Sequence, residues 1–263
     1  MKVAIIGGGV MGEAILGAAI DRGVFDPAHV TVCEKIEHRR HQLHAEYGVA
    51  VSSSSDECVP GSDLVLLSVK PQDLGSVHGA LAPEALLLSI MAGIRIGTIA
   101  GAFRHDRIVR VMPNTPVAAK AGMSVWTATA AVSGEQRELT HNLLGSIGRD
   151  LYVADESKLD MATALSGSGP AYVFLFLEAL IEGGVSIGLT RDESEEMALQ
   201  TVLGSALYAR ESGTSPAELR ARVTSPAGTT AAGLLELERG ALRAAVIECV
   251  RAAFERSVEL SKA

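Results

Sequence analysis

The stretch MKVAIIGGGVMGEAIL, Met1–Leu16, decides the fold. Val3–Ile6 is a short β-branched apolar run. Gly7, Gly9 and Gly12 follow it as G-x-G-x-x-G, and a helical pattern runs from Val10 to Arg22. Strand, glycine turn and helix in that order open a dinucleotide-binding βαβ unit. Gly7 permits the tight turn, Gly9 lets a pyrophosphate approach the backbone, and Gly12 lets helix and strand pack closely. The helix start adds unpaired N–H groups and the positive end of a dipole, both suited to phosphate. Gly8, Val10 and Met11 belong to the same turn. Its position favours this reading over a tight turn that holds no ligand.

Outward from the turn, the next apolar run is Val30–Cys33, and Glu34 follows it. An acid about 20 residues beyond the glycines is placed to bind the ribose hydroxyls of NAD. Lys35, Arg39 and Arg40 adjoin it and suit the 2′-phosphate of NADP, or else form an exposed helix face. The cofactor is therefore NADH or NADPH, with the preference open. Further apolar runs at Val49–Val51, Leu64–Ser68, Leu86–Ile90 and Ile108–Met112 alternate with helical stretches such as Glu37–Tyr47. Unbroken apolar strands of this kind belong to a parallel sheet covered on both faces. A strand at Met123–Thr129, a helix at Glu135–Ser146 and a strand at Leu151–Val153 complete it.

After Asp155 the texture changes to Ala, Leu and Glu at helical spacing. Helices are expected at Ser157–Leu165, Gly169–Ile187, Arg191–Glu211, Pro216–Val223, Thr230–Leu237 and Ala241–Leu260. Thr190 with Glu193 reads as a capping box, and Ser215 with Pro216 as a helix start. The expected fold class is α/β plus all-α: a Rossmann-type, mainly parallel sheet over residues 1–155, then a helical domain over 156–263. Tyr172, Phe174, Phe176, Leu177 and Leu180 nearly encircle the helix from Gly169. A helix apolar all round needs cover on every side. Packing against a second subunit is expected, with burial inside one bundle as the alternative.

The 263 residues suffice for one or two domains. Acidic side chains outnumber basic ones, 31 against 23, for a charge of -8, which opposes a nucleic-acid backbone or an anionic membrane as the main partner. Cys33, Cys58 and Cys249 are odd in number and widely spaced, which points to a reducing compartment and against a disulfide scaffold or metal site. The amino terminus has no signal-peptide pattern. Gly169–Leu189 is the best bilayer candidate, but it carries Glu178 and Glu182. The reading is a soluble, cytoplasmic protein without a metal. All seven histidines, His29, His38, His41, His44, His78, His105 and His141, are expected at the surface.

Five blocks carry a resemblance. Ser68–Gln72 (SVKPQ), Ser89–Ile94 (SIMAGI), Arg110–Pro116 (RVMPNTP), Ala164–Tyr172 (ALSGSGPAY) and Val223–Thr230 (VTSPAGTT), read with the glycine turn, resemble pyrroline-5-carboxylate reductase along essentially the whole chain. The resemblance implies NAD(P)H-dependent reduction of L-1-pyrroline-5-carboxylate to L-proline, the last step of proline biosynthesis. It implies dimers, often assembled five together into decamers, through a helical dimerisation domain.

Cofactor contacts are expected from Ser68, Val69, Lys70 and Pro71, and from Ala92 and Gly93, whose small size lets a nicotinamide ribose come close. Asn114 and Thr115, pinned between two prolines, suit orienting the nicotinamide. Ser55 stands where the family commonly has Asn near the adenine ribose. Substrate contacts are implied for Glu156, Thr163, Ser168, Val223, Ser225, Gly228, Thr229 and Thr230. Ser166–Pro170 is expected to break one helix and start another with free N–H groups. The N–H groups of Gly228 and Thr229 would grip the substrate carboxylate, and the Thr230 hydroxyl would bond the ring nitrogen. Thr230, Ser168 and Lys70 are the expected catalytic residues. The usual Gly-Gly of the last block is here Ala227-Gly228, which calls for a negative φ at Ala227. Rival readings are another imine or hydroxy-acid reductase of this architecture and a non-catalytic dinucleotide sensor. The helix from Gly169 lacks the lysine that hydroxy-acid enzymes of this shape use, and a sensor needs no proline-shaped loops.

Overall fold

The computed structural model describes residues 1–261. The chain forms two compact units, one of Met1–Ser168 with the chain end from Ala253, the other of Gly169–Ala252. The first unit contains β1 (Val3–Ile6), α1 (Val10–Asp21), β2 (Val30–Cys33), α2 (Glu37–Tyr47), β3 (Ala50–Ser52), α3 (Ser55–Cys58) and β4 (Leu64–Leu67). It continues through β5 (Leu86–Ser89), α4 (Ile96–Phe103), β6 (Ile108–Met112), β7 (Gly122–Ala128), α5 (Gly134–Ser146), β8 (Gly148–Tyr152) and α6 (Lys158–Ala162).

The eight strands make one sheet in the order β3-β2-β1-β4-β5-β6-β7-β8. Every pairing is parallel except β6 with β7. The chain winds outward from β1 to β3, then returns to the other side of β1 to lay down β4. That reversal leaves a crevice beyond the carboxyl ends of β1 and β4, where open α/β sheets bind ligands. Alternate residues of each strand feed two cores. Val3 and Ile5 join Ile15, Leu43 and Leu143 from α1, α2 and α5. Ala4 and Ile6 join Cys58 and Ile99 from α3 and α4. Cover on both faces explains why all four residues of β4 are buried. Each leucine so buried contributes about 1.5–3 kcal/mol.

Two sequence expectations are corrected in this unit. β8 starts three residues before Leu151, because Gly148, Arg149 and Asp150 pair along β7 at the sheet's edge, where Arg149 reaches water and Asp150 accepts from Trp126 Nε1. His105 is buried, 9% exposed, not at the surface. Its Nε2–H donates to the Ala85 carbonyl at 2.7 Å, which satisfies the ring inside the fold.

The second unit holds α7 (Gly169–Ser186), α8 (Arg191–Ser212), α9 (Pro216–Arg222), α10 (Thr229–Arg239) and the start of α11 (Leu242–Leu260). The capping box of Thr190 and Glu193 is formed in both directions, and Ser215 accepts from the Glu218 N–H with Pro216 in the first turn. Leu177, Ile181 and Ala198, with Val202, form the core between α7 and α8. On the rest of α7, Phe174 is 57% and Leu175 68% exposed. The chain's own bundle therefore leaves most of this apolar helix uncovered. Lys158–Ser186 is long and apolar enough to cross a bilayer by length and composition. It carries Glu178 and Glu182, side chains costly in hydrocarbon.

Candidate active site

The glycine turn is held from several sides. Gly7 takes φ 104°, a conformation glycine adopts freely, and its N–H donates to the Cys33 carbonyl at 2.8 Å. A Cβ on Gly12 would lie 2.3 Å from the Gly7 oxygen and 2.6 Å from Ser68 Oγ, and one on Gly8 would lie 2.5 Å from Leu43 Cδ1. Gly9 is different: a Cβ there meets no atom within 4 Å. The protein itself requires glycine at 7 and 12, where backbone atoms stand in the way, and at Gly8 a Cβ would displace the Leu43 side chain. At Gly9 the protein imposes no such requirement and leaves the space beside the turn open. Val10, beside it, is 80% exposed, and Met11 lines the adjoining space.

Two cavities adjoin along the carboxyl ends of the strands. One of about 340 Å³ lies over the turn and is lined by Gly7, Gly9, Glu34, Ser55, Val69 and Lys70 among others. Its neighbour, about 220 Å³, shares Ser68, Val69 and Lys70 and is walled by Met11, Met91, Ala92, Met112 and Pro113. Two compartments joined across a glycine turn at a helix start fit a molecule of two nucleosides joined by a pyrophosphate. A larger hollow of about 610 Å³ lies between Arg22 and Ser146, at the C-terminal ends of α1 and α5. Its lining includes neither the glycine turn nor a helix start.

The expected cofactor residues divide by what their polar atoms already hold. Glu34 Oε2 accepts from the Gly8 N–H and Oε1 from the Ile36 N–H, both at 2.9 Å. Ser68 Oγ donates to the Gly7 carbonyl at 2.6 Å, so this hydroxyl braces the turn. Ser55 lines the larger cavity, but it is 8% exposed and its Oγ accepts from the His78 N–H at 2.8 Å. Asn114 holds protein at both ends of its amide: Nδ2 donates to the Ser166 carbonyl at 3.1 Å, and Oδ1 accepts from the Met123 N–H at 2.8 Å. Its fixed pose comes from these bonds. Lys70 and Ala92 are exposed at the cavity walls, Pro71 opens a short 3-10 turn, Gly93 has φ 75°, and Thr115 starts another such turn in solvent. Cys33 lines the larger cavity and packs with Cys58 in the core beneath it, where the neighbouring Cys33 thiol and burial push the Cys58 thiol above its ordinary value.

Glu156, expected at the substrate, is tied to the sheet. Its Oε1 accepts from Arg110 Nη1 and from the Ile96 N–H, each at 2.8 Å. The Arg110 side chain is only 4% exposed, so Glu156 is its buried counter-charge. Thr163 Oγ1 donates to the Leu159 carbonyl at 2.7 Å and begins a π-helical turn, Thr163–Gly167. The expected break at Ser166–Pro170 is corrected accordingly. The Ser168 N–H donates to Thr163 O at 2.8 Å in the i→i+5 pattern, so it is not free. Such wide turns recur at functional sites.

Sequence reasoning missed Arg110 and Asp160. Asp160 is 2% exposed and accepts from Arg95, Ser257 and Ser261, tying the end of α11 to α6. For Arg110 a signal existed: one charge inside the apolar strand IVRVM.

In the helical unit, Ala227 has φ 58°, contrary to the negative φ expected. The reason is the turn it sits in. The Gly228 N–H donates to the Ser225 carbonyl at 3.1 Å, with Pro226 and Ala227 at the two central positions. Proline then positive φ is the type II pattern, which favours glycine at Ala227. Ala227→Gly is expected to raise stability by about 0.5–1 kcal/mol, the left-handed strain relieved less the added chain entropy. A rise in the urea midpoint would register it, and a fall would contradict the turn geometry. The same hydrogen bond occupies the Gly228 N–H that was expected to hold a carboxylate. Instead, the Thr229 and Thr230 N–H groups open α10 and take no partner among the described residues. A Cβ on Gly228 would lie 2.4 Å from Ser225 Oγ, so that hydroxyl would have to rotate away. Val223 ends α9, 65% exposed.

Comparison with known proteins agrees with this arrangement. A family profile for pyrroline-5-carboxylate reductase dimerisation matches residues 156–260, and one described as NADP oxidoreductase, coenzyme F420-dependent, matches residues 2–93. The pyrroline-5-carboxylate reductase of Synechocystis sp. is 43% identical over 265 residues, covering 100% of this chain and 99% of its own. Among solved structures, a pyrroline-5-carboxylate reductase from Coxiella burnetii has a TM-score of 0.90 at 34% identity, covering 100% of this chain and 99% of its own. The pyrroline carboxylate reductase of Plasmodium falciparum, solved with NADP bound, has a TM-score of 0.89 at 30% identity, covering 99% and 98%. Likeness of this degree runs through the sheet, the glycine turn and the helices alike, and the chain belongs to the pyrroline-5-carboxylate reductase family.

Proposed function

We propose that the reduction of L-1-pyrroline-5-carboxylate to L-proline, the reaction of this family, uses the two adjoining cavities at the carboxyl edge of β1, β4, β5 and β6 for its dinucleotide. The observation that carries this reading is Gly9, a glycine that no protein atom requires, at the mouth of both a helix and a cavity. When bound, the nicotinamide cofactor, NADH or NADPH, supplies the hydride. The chain's own groups do the positioning. Gly9 and the first N–H groups of α1 hold phosphate. Ser68 keeps the turn closed against β4, and Asn114 fixes the loop after β6. Ala92 and Gly93 leave room beside the second cavity, and exposed Lys70 offers a cation to anionic groups.

For the substrate, the helical unit offers a second helix start. The Thr229 and Thr230 N–H groups suit a carboxylate, and the Thr230 hydroxyl suits the ring nitrogen. Ser168 supplies a further hydroxyl. A protonated C=N is already electrophilic, so orientation and charge placement suffice for catalysis. The exposed apolar surface of α7 and the matched dimerisation profile support a homodimer as the working unit, a second copy covering α7. Five such dimers form the proposed decamer, and the cytoplasm is the proposed compartment. The negative net charge opposes nucleic acid or an anionic membrane as partner, and a small anion is met locally at helix starts.

The test is Thr230→Val beside Thr230→Ser. The valine variant is expected to lose about a hundredfold in kcat, the scale of one lost transition-state hydrogen bond, while the serine variant keeps most of the rate. Equal rates for wild type and Thr230→Val would remove Thr230 from the chemistry.

A further inference from the structure

We infer that the adenosine end of the larger cavity is built to take NADH in preference to NADPH, with Glu34 as the discriminating residue. The inference rests on the reading of that cavity as the dinucleotide site. It concerns a single chemical difference, a ribose 2′-hydroxyl against a 2′-phosphate.

The Glu34 carboxylate lines the cavity and is fixed in place by two backbone N–H groups, Gly8 on Oε2 and Ile36 on Oε1. Each oxygen keeps a lone pair for one further donor. A ribose diol brings donors. A 2′-phosphate brings acceptors only and a charge of about −1.5 to −2, so it meets Glu34 with repulsion and no hydrogen bond. Because Gly8 sits in the glycine turn and Ile36 immediately precedes α2, the carboxylate cannot swing aside without releasing both.

The bases that could answer a 2′-phosphate are committed elsewhere. Arg39 Nη2 donates to Glu13 Oε2 at 2.7 Å and to the Gly8 carbonyl at 2.8 Å, and its Nη1 donates to Gln42. Arg40 Nη1 donates to the carbonyls of Glu34 and Lys35, both at 2.8 Å. Neither arginine lines the cavity. Lys35 does, with its ammonium on Ser76 Oγ at 3.0 Å, but Asp73 stands on the same wall. Among the described residues no guanidinium fork, the group best matched to phosphate, lines the pocket.

The experiment measures binding by titration calorimetry of the full-length protein with NADH, NADPH, 5′-AMP and 2′,5′-ADP. The last two differ only in the 2′-phosphate and need no nicotinamide contact. Wild type is expected to bind NADH at least tenfold tighter than NADPH, and 5′-AMP tighter than 2′,5′-ADP. Glu34→Ser is expected to lower the NADH/NADPH affinity ratio at least tenfold, and Glu34→Gln to lower it less. Lys35→Ala should leave NADPH affinity within threefold. Thermal unfolding of each variant separates lost binding from lost fold.

Equal or tighter NADPH binding by wild type would overturn the inference. So would equal weakening of both cofactors in Glu34→Ser and Glu34→Gln, which would make Glu34 a brace of the turn only. A loss of NADPH affinity confined to Lys35→Ala would transfer the 2′-phosphate to Lys35 and also refute it. Binding of none of the four ligands would refute the dinucleotide reading of the cavity itself, a failure distinct from a wrong preference.

Discussion

Glu156→Ala is expected to cost roughly 3–5 kcal/mol of folding stability, because it strands a buried guanidinium without its counter-charge. Arg110 lies in the middle of β6, and its side chain is almost wholly out of water. Glu156 Oε1 meets both Arg110 Nη1 and the Ile96 N–H, so its removal also orphans the first backbone donor of α4. Glu156→Gln retains an acceptor for both and is expected to cost less. Replacing the pair together, Arg110→Met with Glu156→Leu, should restore much of the loss, since two apolar side chains leave no charge unpaired. Urea unfolding of the three variants measures this directly. Unchanged stability in Glu156→Ala, with only the substrate KM raised, would return Glu156 to the substrate and refute its structural role.

Gly9→Val carries the second large effect, and it falls on binding alone. Gly9 has φ -73° and ψ -179°, extended backbone that any residue adopts. A side chain there meets no protein atom near its Cβ. The melting temperature is therefore expected to stay where it is. Affinity for NADH and NADPH should drop at least a hundredfold, about 2.7 kcal/mol, because the branched side chain occupies the approach of the pyrophosphate to the backbone. Gly12→Ala provides the contrast. Its Cβ would strike the Gly7 carbonyl and Ser68 Oγ, so both stability and binding should fall. Cofactor affinity unaffected in Gly9→Val would show that the turn does not face the dinucleotide.

Much of the architecture is legible in the sequence because the sheet is buried on both faces. Val3–Ile6, Val30–Cys33 and Ile108–Met112 coincide with their apolar runs. Legibility fades where burial does. β8 is an edge strand opening on Gly148, Arg149 and Asp150, residues with no apolar signature. The π-helical turn at Thr163–Gly167 depends on i→i+5 hydrogen bonding, which composition does not encode. Chemistry-bearing residues could be located from their motifs, but not what their atoms hold. Ser68, Asn114 and Glu156 each spend polar atoms on partners 46 to 61 residues away in sequence. Only the folded sheet brings those partners together. Ala227 makes the same point locally: a proline before it and a carbonyl two residues back set its φ, against the residue's own preference.

The most direct test of the account is oxidation of reduced nicotinamide by the purified protein when L-1-pyrroline-5-carboxylate is added, with L-proline measured as product. The account predicts substrate-dependent oxidation with one L-proline formed per cofactor oxidised, abolished in Gly12→Ala and strongly reduced in Thr230→Val. Tight cofactor binding without turnover on this substrate would contradict it and point to a dinucleotide sensor or to a different imine.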